Sequence, residues 1–222
     1  NLYSDVQKVR LDSTAGYKVN LLLNRVIPPA DPPKDTKWVK RVQIQSQLLS
    51  KFWGHPVYLG ATVILPRGYD EHPDVRYPVV YAQGYVGSPA FYFNENPDSL
   101  RQQEGLRQSS NVQPGYEFFQ TWTSDKFPRF LAVTFVEPCP FFPDGYGVNS
   151  ANNGPYGDAV TQELIPFVEK QFRAIGKPYA RILEGASTGG WESLALQLQR
   201  PDFFGGAWIY NPDPIDFRRY LL

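Results

Sequence analysis

The sequence predicts an α/β fold, a mainly parallel sheet with helices on both faces. Three observations carry this. Two early segments, residues 38–49 and 58–65, read as strands of the antiparallel type. Later come short continuous apolar runs, residues 77–81 and 130–136, as expected of strands covered on both faces. Helical patterns then alternate with strands, the order that builds parallel sheets.

Taken in order, residues 1–37 read as an irregular N-terminal segment or linker, with Pro28, Pro29, Pro32 and Pro33 clustered around Asp31. Proline has no N–H for a ladder. From Trp38 to Leu49 the alternation Val39, Arg41, Val42, Gln43, Ile44, Gln45 predicts a half-buried strand, and Tyr58 to Leu65 a second, closed by Pro66, Arg67 and Gly68. Glu71 to Arg76 is a polar turn, Tyr77 to Tyr81 a buried strand, and Phe91 to Pro114 a long polar excursion. Tyr116 to Trp122 predicts a helix and Phe130 to Val136 a strand, stopped by Pro138 and Pro140. Asp158 stands at an N-cap position before a stripe of Val160, Leu164, Val168 and Phe172 at helical spacing. Pro166 inside that stripe predicts a kink, unless the helix starts later, since an interior proline costs about 3 kcal/mol. Tyr179 to Leu183, Gly190 to Leu198 and Ala207 to Tyr210 complete the pattern as strand, helix and strand. Residues 38–222 are thus expected to form one domain.

The 222 residues, 42% apolar, suffice for such a core. Lysine plus arginine equals aspartate plus glutamate at 22 each, and no basic stripe is visible, so nothing points to nucleic acid. No apolar run reaches the roughly 18–20 residues of a membrane span. One cysteine excludes an intrachain disulfide. The chain begins at Asn1, holds no methionine and shows no leader, which reads as a processed or excerpted chain. With the loop-rich composition this leans towards a secreted or periplasmic protein.

Gly185-Ala186-Ser187-Thr188-Gly189 fits G-x-S-x-G, with an apolar strand (Ile182, Leu183) running in and a helix from Trp191 running out. That context makes it a nucleophile elbow. The turn is so tight that residues two before and two after the serine must be small, here Gly185 and Gly189. The strained turn lifts the hydroxyl clear of the sheet at the positive end of the following helix. The elbow supplies one oxyanion donor, the N–H of Thr188. The second is expected from the loop after an upstream strand, where Gly84-Tyr85-Val86-Gly87 makes the N–H of Tyr85 the candidate.

The stretch from Asn149 onward resembles the putative-esterase family of α/β-hydrolases, which includes feruloyl and acetylxylan esterases, S-formylglutathione hydrolase and enterochelin esterases. The matching residues are Asn153-Gly154-Pro155-Tyr156-Gly157-Asp158, then Glu163-Leu164-Ile165-Pro166-Phe167-Val168-Glu169, then Gly185 to Gly190, the second glycine, Gly190, being typical of this branch. Tyr77-Pro78-Val79-Val80-Tyr81 with Gly84 resembles the strand leading to the oxyanion loop, and the similarity runs from about Tyr58 to the C-terminus. The resemblance implies an α/β-hydrolase fold and ester hydrolysis without a cofactor. Two departures stand out. The family commonly has His-Gly where this chain has Gln83-Gly84, and no histidine follows Ser187, although the family order is serine, acid, histidine. The C-terminal strands that would carry acid and base are therefore expected to be lacking, and a C-terminal companion fragment is expected to bring them.

A serine hydroxyl needs a neighbouring base. His55 and His72 both flank a proline in turn-like sequence before the nucleophile and read as structural. Asp213, in Asn211-Pro212-Asp213-Pro214, reads first as a turn residue or helix cap, with the triad acid as its less favoured alternative. Cys139 between two prolines reads as a buried filler, Glu192 as a solvated or ion-paired helix residue, and Trp191 as core. Phe91, Tyr92 and Phe93 could line a cleft or pack a loop. No metal-spaced cluster and no phosphate-loop lysine is present. The expectation is a serine esterase acting on a small-molecule ester through an acyl-enzyme on Ser187. The alternatives are acyl transfer at the same site, or a non-catalytic module binding carbohydrate or protein.

Overall fold

The computed structural model describes residues 2–14, 16–26, 33–98, 115–140, 142 and 144–216. Pro28, Pro29, Asp31 and Pro32 of the proline cluster, and residues 99–114 of the polar excursion, lie outside the described residues. The chain divides into two units, Asn1–Lys34 and Asp35–Leu222. Within the first, β1 (Leu2–Tyr3) pairs antiparallel with β2 (Arg25–Val26), and Arg25 meets Asp5 at 2.6 Å. Its apolar side chains are largely exposed.

The second unit is built on six strands: β3 (Val39–Ser46), β4 (Val57–Ile64), β5 (Val79–Gln83), β6 (Leu131–Val136), β9 (Arg181–Ala186) and β10 (Gly206–Tyr210). Their spatial order is β10-β9-β5-β6-β4-β3. The four strands from β10 to β6 run parallel, and β4 and β3 are added antiparallel. A small antiparallel pair, β7 (Asn149–Ser150) and β8 (Gly154–Pro155), stands apart. The helices are α1 (Gln47–Trp53), α2 (Gly115–Thr123), α3 (Tyr156–Ala159), α4 (Ile165–Gln171) and α5 (Thr188–Gln199).

Period-two alternation sends successive strand residues to opposite faces. On one face Leu59, Val63, Val79, Tyr81, Val133 and Leu183 pack against Leu49 of α1, Tyr156 of α3, Val168 of α4 and Leu196 of α5. On the other, Ile64, Ala82 and Ala132 meet Ala90, Phe93 and Trp122 of α2. The predicted stripe is buried throughout: Val160, Leu164, Val168 and Phe172 all lie in the core.

Two local expectations are corrected, and a third, at Pro166, is decided between its alternatives. The first strand ends at Ser46, not Leu49, because the Ser46 hydroxyl caps α1 by accepting the Leu49 N–H (3.1 Å). Glu163 completes the cap, accepting the N–H groups of Gln47 (3.0 Å) and Leu48 (3.1 Å). Asp158 is not an N-cap but lies inside α3, where it pairs with Arg200 and Asn149. At Pro166 the later helix start holds rather than a kink. A π-helical turn, Val160–Leu164, widens the ladder just before it, and α4 starts afresh with the proline in its first turn, where a missing N–H is harmless.

Candidate active site

Ser187 sits between the end of β9 and the start of α5 with φ 55° and ψ −123°, a conformation that L-residues adopt only when the surroundings enforce it. The enforcement is steric. A Cβ on Gly185 would lie 2.1 Å from the Gly189 carbonyl oxygen, and one on Gly189 would lie 2.4 Å from the carbonyl oxygen of Gln83. Gly190 is less tightly confined, its nearest approaches being 3.2 Å. Gly185 and Gly189 therefore hold the turn closed on itself, and Gly189 also locks it against the end of β5. The Ser187 side chain is exposed.

Register brings the second segment alongside. Gln83, the last residue of β5, is paired with Gly185 of β9, so the loop leaving β5 emerges beside the elbow. Gly84, Val86 and Gly87 in that loop have φ of 84°, 46° and 76°. Thr62 Oγ1 donates to Gly87 O (2.6 Å), Thr134 Oγ1 donates to Ser88 O (2.7 Å), and Ser88 N–H donates to Tyr85 O (3.0 Å). The two sequence-predicted donors, the N–H groups of Thr188 and Tyr85, thus belong to neighbouring segments. Thr188 opens α5, where first-turn N–H groups have no intrahelical acceptor.

The loop after β10 closes over the elbow. Ser187 N–H donates to Tyr210 O and Asp213 N–H to Ser187 O, both at 3.1 Å. The Ser187 hydroxyl donates to Asp213 Oδ1 (3.2 Å) and the Thr188 hydroxyl to Asp213 Oδ2 (2.6 Å). Asp213 is brought directly onto Ser187, with no group between them. The histidines are not. His72 accepts from Arg173 through its carbonyl (2.6 Å), and Arg173 O in turn accepts the Tyr77 N–H, at the N-terminal ends of β5 and β9. That is the opposite end of the strands from Ser187. His55 is exposed before β4, at the elbow's end of the sheet, but with β5 and β6 intervening, roughly 14 Å at ordinary strand spacing.

Several carboxyls gather below and beside the elbow, and sequence reasoning missed them. Glu192 was expected to be solvated or ion-paired. It is 1% exposed, and one of its carboxyl oxygens has no partner among the described residues. Burial, then Asp144 and Glu137, push it well above the usual carboxylate range, against a smaller lowering influence of the Gly84 N–H. Glu137 is raised by burial and Asp144, although Gly147 N–H donates to it at 3.0 Å. Glu184, on β9, is raised to about 7 by burial. Trp191 packs with Val148 and Ala195, and Tyr146 meets its ring edge-on at 6.2 Å. Cys139 is buried in the main core. Phe93 is buried, whereas Tyr92 is exposed and, with Phe91, flanks the Tyr85 ring at 5.5 and 6.2 Å. Among the described residues no three His, Cys, Asp or Glu side chains are arranged to hold a metal, and no helix is long and apolar enough to cross a membrane.

A family model described as putative esterase matches residues 58–213. The endo-1,4-beta-xylanase/feruloyl esterase of Xylanibacter ruminicola is 27% identical over 148 residues, covering 65% of this chain and 18% of the relative. Among solved structures, a ferulic acid esterase is 18% identical with a TM-score of 0.52, covering 79% of this chain and 59% of that one. A ferulic acid esterase from the anaerobic fungus Anaeromyces mucronatus, in complex with ferulic acid, is 20% identical with a TM-score of 0.49, covering 83% and 62%. The fold is that of the α/β-hydrolases. The chain spans about a fifth of the length of the curated relative and about three fifths of these structures.

Proposed function

The chain belongs to the putative esterase family, and from that premise we propose that it carries the acylation site of a serine hydrolase acting on carboxylic esters. The observation that carries this reading is the backbone of Ser187, held at positive φ by the Gly185–Gly189 contact, with its hydroxyl exposed beside the Gly84–Gly87 loop. Enforced strain at an exposed serine has a use in nucleophilic attack and none in packing.

In this reading Ser187 Oγ attacks the ester carbonyl carbon while a general base takes its proton. The tetrahedral oxyanion is held by the N–H groups of Thr188 and Tyr85. The C–O bond to the alcohol breaks, the alcohol leaves with the proton returned by the base, and water repeats the sequence on the acyl-enzyme. The base is an imidazole from outside these 222 residues, because His72 and His55 are both remote from Ser187. A triad acid bonds the imidazole rather than the serine. The direct contact of Asp213 with the Ser187 and Thr188 hydroxyls therefore supports a different role, that of holding the elbow and its hydroxyl in place. Relatives named for ferulic acid make an aromatic acyl ester the substrate to try first, and the exposed ring of Tyr92 beside Tyr85 is a surface able to receive it.

The test is exposure of the purified protein, together with the part that supplies the imidazole, to a fluorophosphonate, with hydrolysis of a methyl hydroxycinnamate ester followed in parallel. We expect a single adduct on Ser187. Ser187→Ala should remove both the adduct and the turnover, by at least roughly 10⁴-fold. A wild-type protein that takes up no label, or a Ser187→Ala variant that hydrolyses the ester unimpaired, rejects the reading and favours a binding module.

A further inference from the structure

We infer that Tyr146 is a specificity-determining residue of the Ser187 site: its ring, backed by Trp191, forms the wall that receives the alcohol side of the ester, and it suits an alcohol that is a ring-shaped polyol. This rests on the esterase reading above. The first observation is a strained turn with a visible support. Tyr146 and Gly147 stand at φ 61° and 59°, two successive residues in the left-handed region. Turns of that kind are normally filled by asparagine and glycine, and a tyrosine persists there only where its surroundings enforce it. Two carboxyls do so. Asp144 accepts the Tyr146 N–H through Oδ1 at 2.8 Å, and buried Glu137 accepts the Gly147 N–H through Oε2 at 3.0 Å. The chain just before the turn is wedged in place as well, since a Cβ on Gly145 would lie 2.3 Å from the Tyr156 ring. A turn held this firmly presents one aromatic ring in one place.

That place is beside the nucleophile. The Trp191 N–H donates to Ser187 O (3.1 Å), so the indole stands one helical turn along α5 from Ser187. Tyr146 meets the buried indole edge-on at 6.2 Å and packs with Trp191, Val148 and Ala195 in a small cluster, itself only half-buried. α5 covers the sheet face that carries Tyr81 and Leu183, whereas Tyr85 and Phe91 join the core on the opposite face. Ser187, at the end of β9, therefore stands between two aromatic surfaces. An ester at Ser187 has two arms. With the aromatic acyl arm on the Tyr85–Tyr92 side, the alcohol arm falls to Tyr146. The chemistry of this second surface fits a polyol. Burial, then Glu192, Asp144 and Asp213, raise the Tyr146 phenol above its ordinary value, so its O–H is kept as a donor. An aromatic face with a hydroxyl at its rim matches a sugar-like ring, apolar across its C–H face and hydroxylated at its edge.

The test compares two esters of one hydroxycinnamic acid, the methyl ester and the 6-ester of glucose, with the part that supplies the imidazole present. Tyr146→Gly suits the positive φ and removes the ring, so the turn is kept. Tyr146→Phe keeps the ring and removes only the hydroxyl. Tyr146→Gly should raise KM for the glucose ester about tenfold or more with kcat within about threefold, and leave both constants for the methyl ester within about twofold. Tyr146→Phe should raise KM for the glucose ester about two- to fivefold. Equilibrium binding to a Ser187→Ala background repeats the comparison without turnover: Tyr146→Gly should weaken the glucose ester about tenfold and spare the methyl ester. A loss of the same size on both esters is what a structural role, or a wall for the acyl arm, produces, and it overturns the proposal. So does a glucose ester that binds and turns over in Tyr146→Gly as in wild type. A failure of the esterase reading itself looks different: Ser187→Ala then leaves turnover intact, whatever happens at Tyr146.

Discussion

At the N-terminal ends of β5 and β9, Glu169 and Arg181 meet in a bidentate pair at 2.7 and 2.8 Å, while at the C-terminal ends of the same sheet Glu137, Glu184 and Glu192 are buried without an ion pair among the described residues. The paired end is saturated. Tyr81 donates its hydroxyl to Glu169 (3.1 Å), Arg181 also donates to Phe203 O (3.2 Å), and its guanidinium lies 4.0 Å over the Phe203 ring. At the unpaired end burial raises all three carboxyls above the usual range, and neighbouring acids add to the shift of Glu137 and Glu192. The difference separates two uses of buried acid. At one end a charge is matched so that α4 and β9 cannot move apart. At the other, burial favours the uncharged form of the carboxyls around the proposed acylation site.

Breaking the matched end has the largest expected effect on stability. Arg181→Met leaves Glu169 buried without its cation, and removing one partner of a buried pair costs about 3–5 kcal/mol. The melting temperature should fall by roughly 10 °C or more, while the rate of Ser187 labelling per folded molecule stays at wild type. Thermal denaturation with active-site titration checks both halves. A loss below about 1 kcal/mol would mean that the pair behaves like a surface one, and the contrast between the two ends would fail.

The next effect is smaller and falls on catalysis. Asp213→Ala removes the acceptor of the Ser187 and Thr188 hydroxyls, two hydrogen bonds to one carboxylate. A group that only steadies the nucleophile should be worth about tenfold in kcat/KM, near 1.4 kcal/mol. A triad acid is worth about 10⁴-fold. Steady-state kinetics on a chromogenic ester distinguish the two, and a fall of the larger size would give Asp213 the role of acid.

What could be read in the sequence follows the same division. The elbow was legible because its constraint is local: Gly185 and Gly189 are four residues apart, and only their lack of side chains permits the turn. The stripe Val160, Leu164, Val168, Phe172 was legible for the same reason, its period being a property of one helix. The end of β3 was not, because the group that completes the cap of α1 is Glu163, from a distant part of the chain. Pro166 announced a local conflict but not its resolution by a π-helical turn. Glu192 looked like a surface residue because helical position alone does not reveal that α5 is enclosed by β9, β10 and the segment around Tyr146. The contact of Asp213 with Ser187 depends on the chain after β10 folding back over the elbow, which no spacing encodes.

The smallest expected effect tests the sign of the unpaired end. Burial raises Glu184 from the usual carboxylate range to about 7. The folded protein therefore holds this proton more tightly than the unfolded chain does. The associated stability is fully present below the unfolded value and is lost as pH rises through about 7. Glu184→Gln has no proton to lose. Its melting temperature relative to wild type should rise by a few degrees between pH 5 and 8 and level off above that. Had Glu184 been matched by a cation, as Glu169 is, the substitution would remove an attraction that grows with ionisation, and the difference would run the other way. Scanning calorimetry of both proteins across that window reads the sign directly. A difference that is flat, or that falls with pH, would mean that Glu184 is ionised and paired in the folded protein, and the two ends of the sheet would no longer differ at this residue.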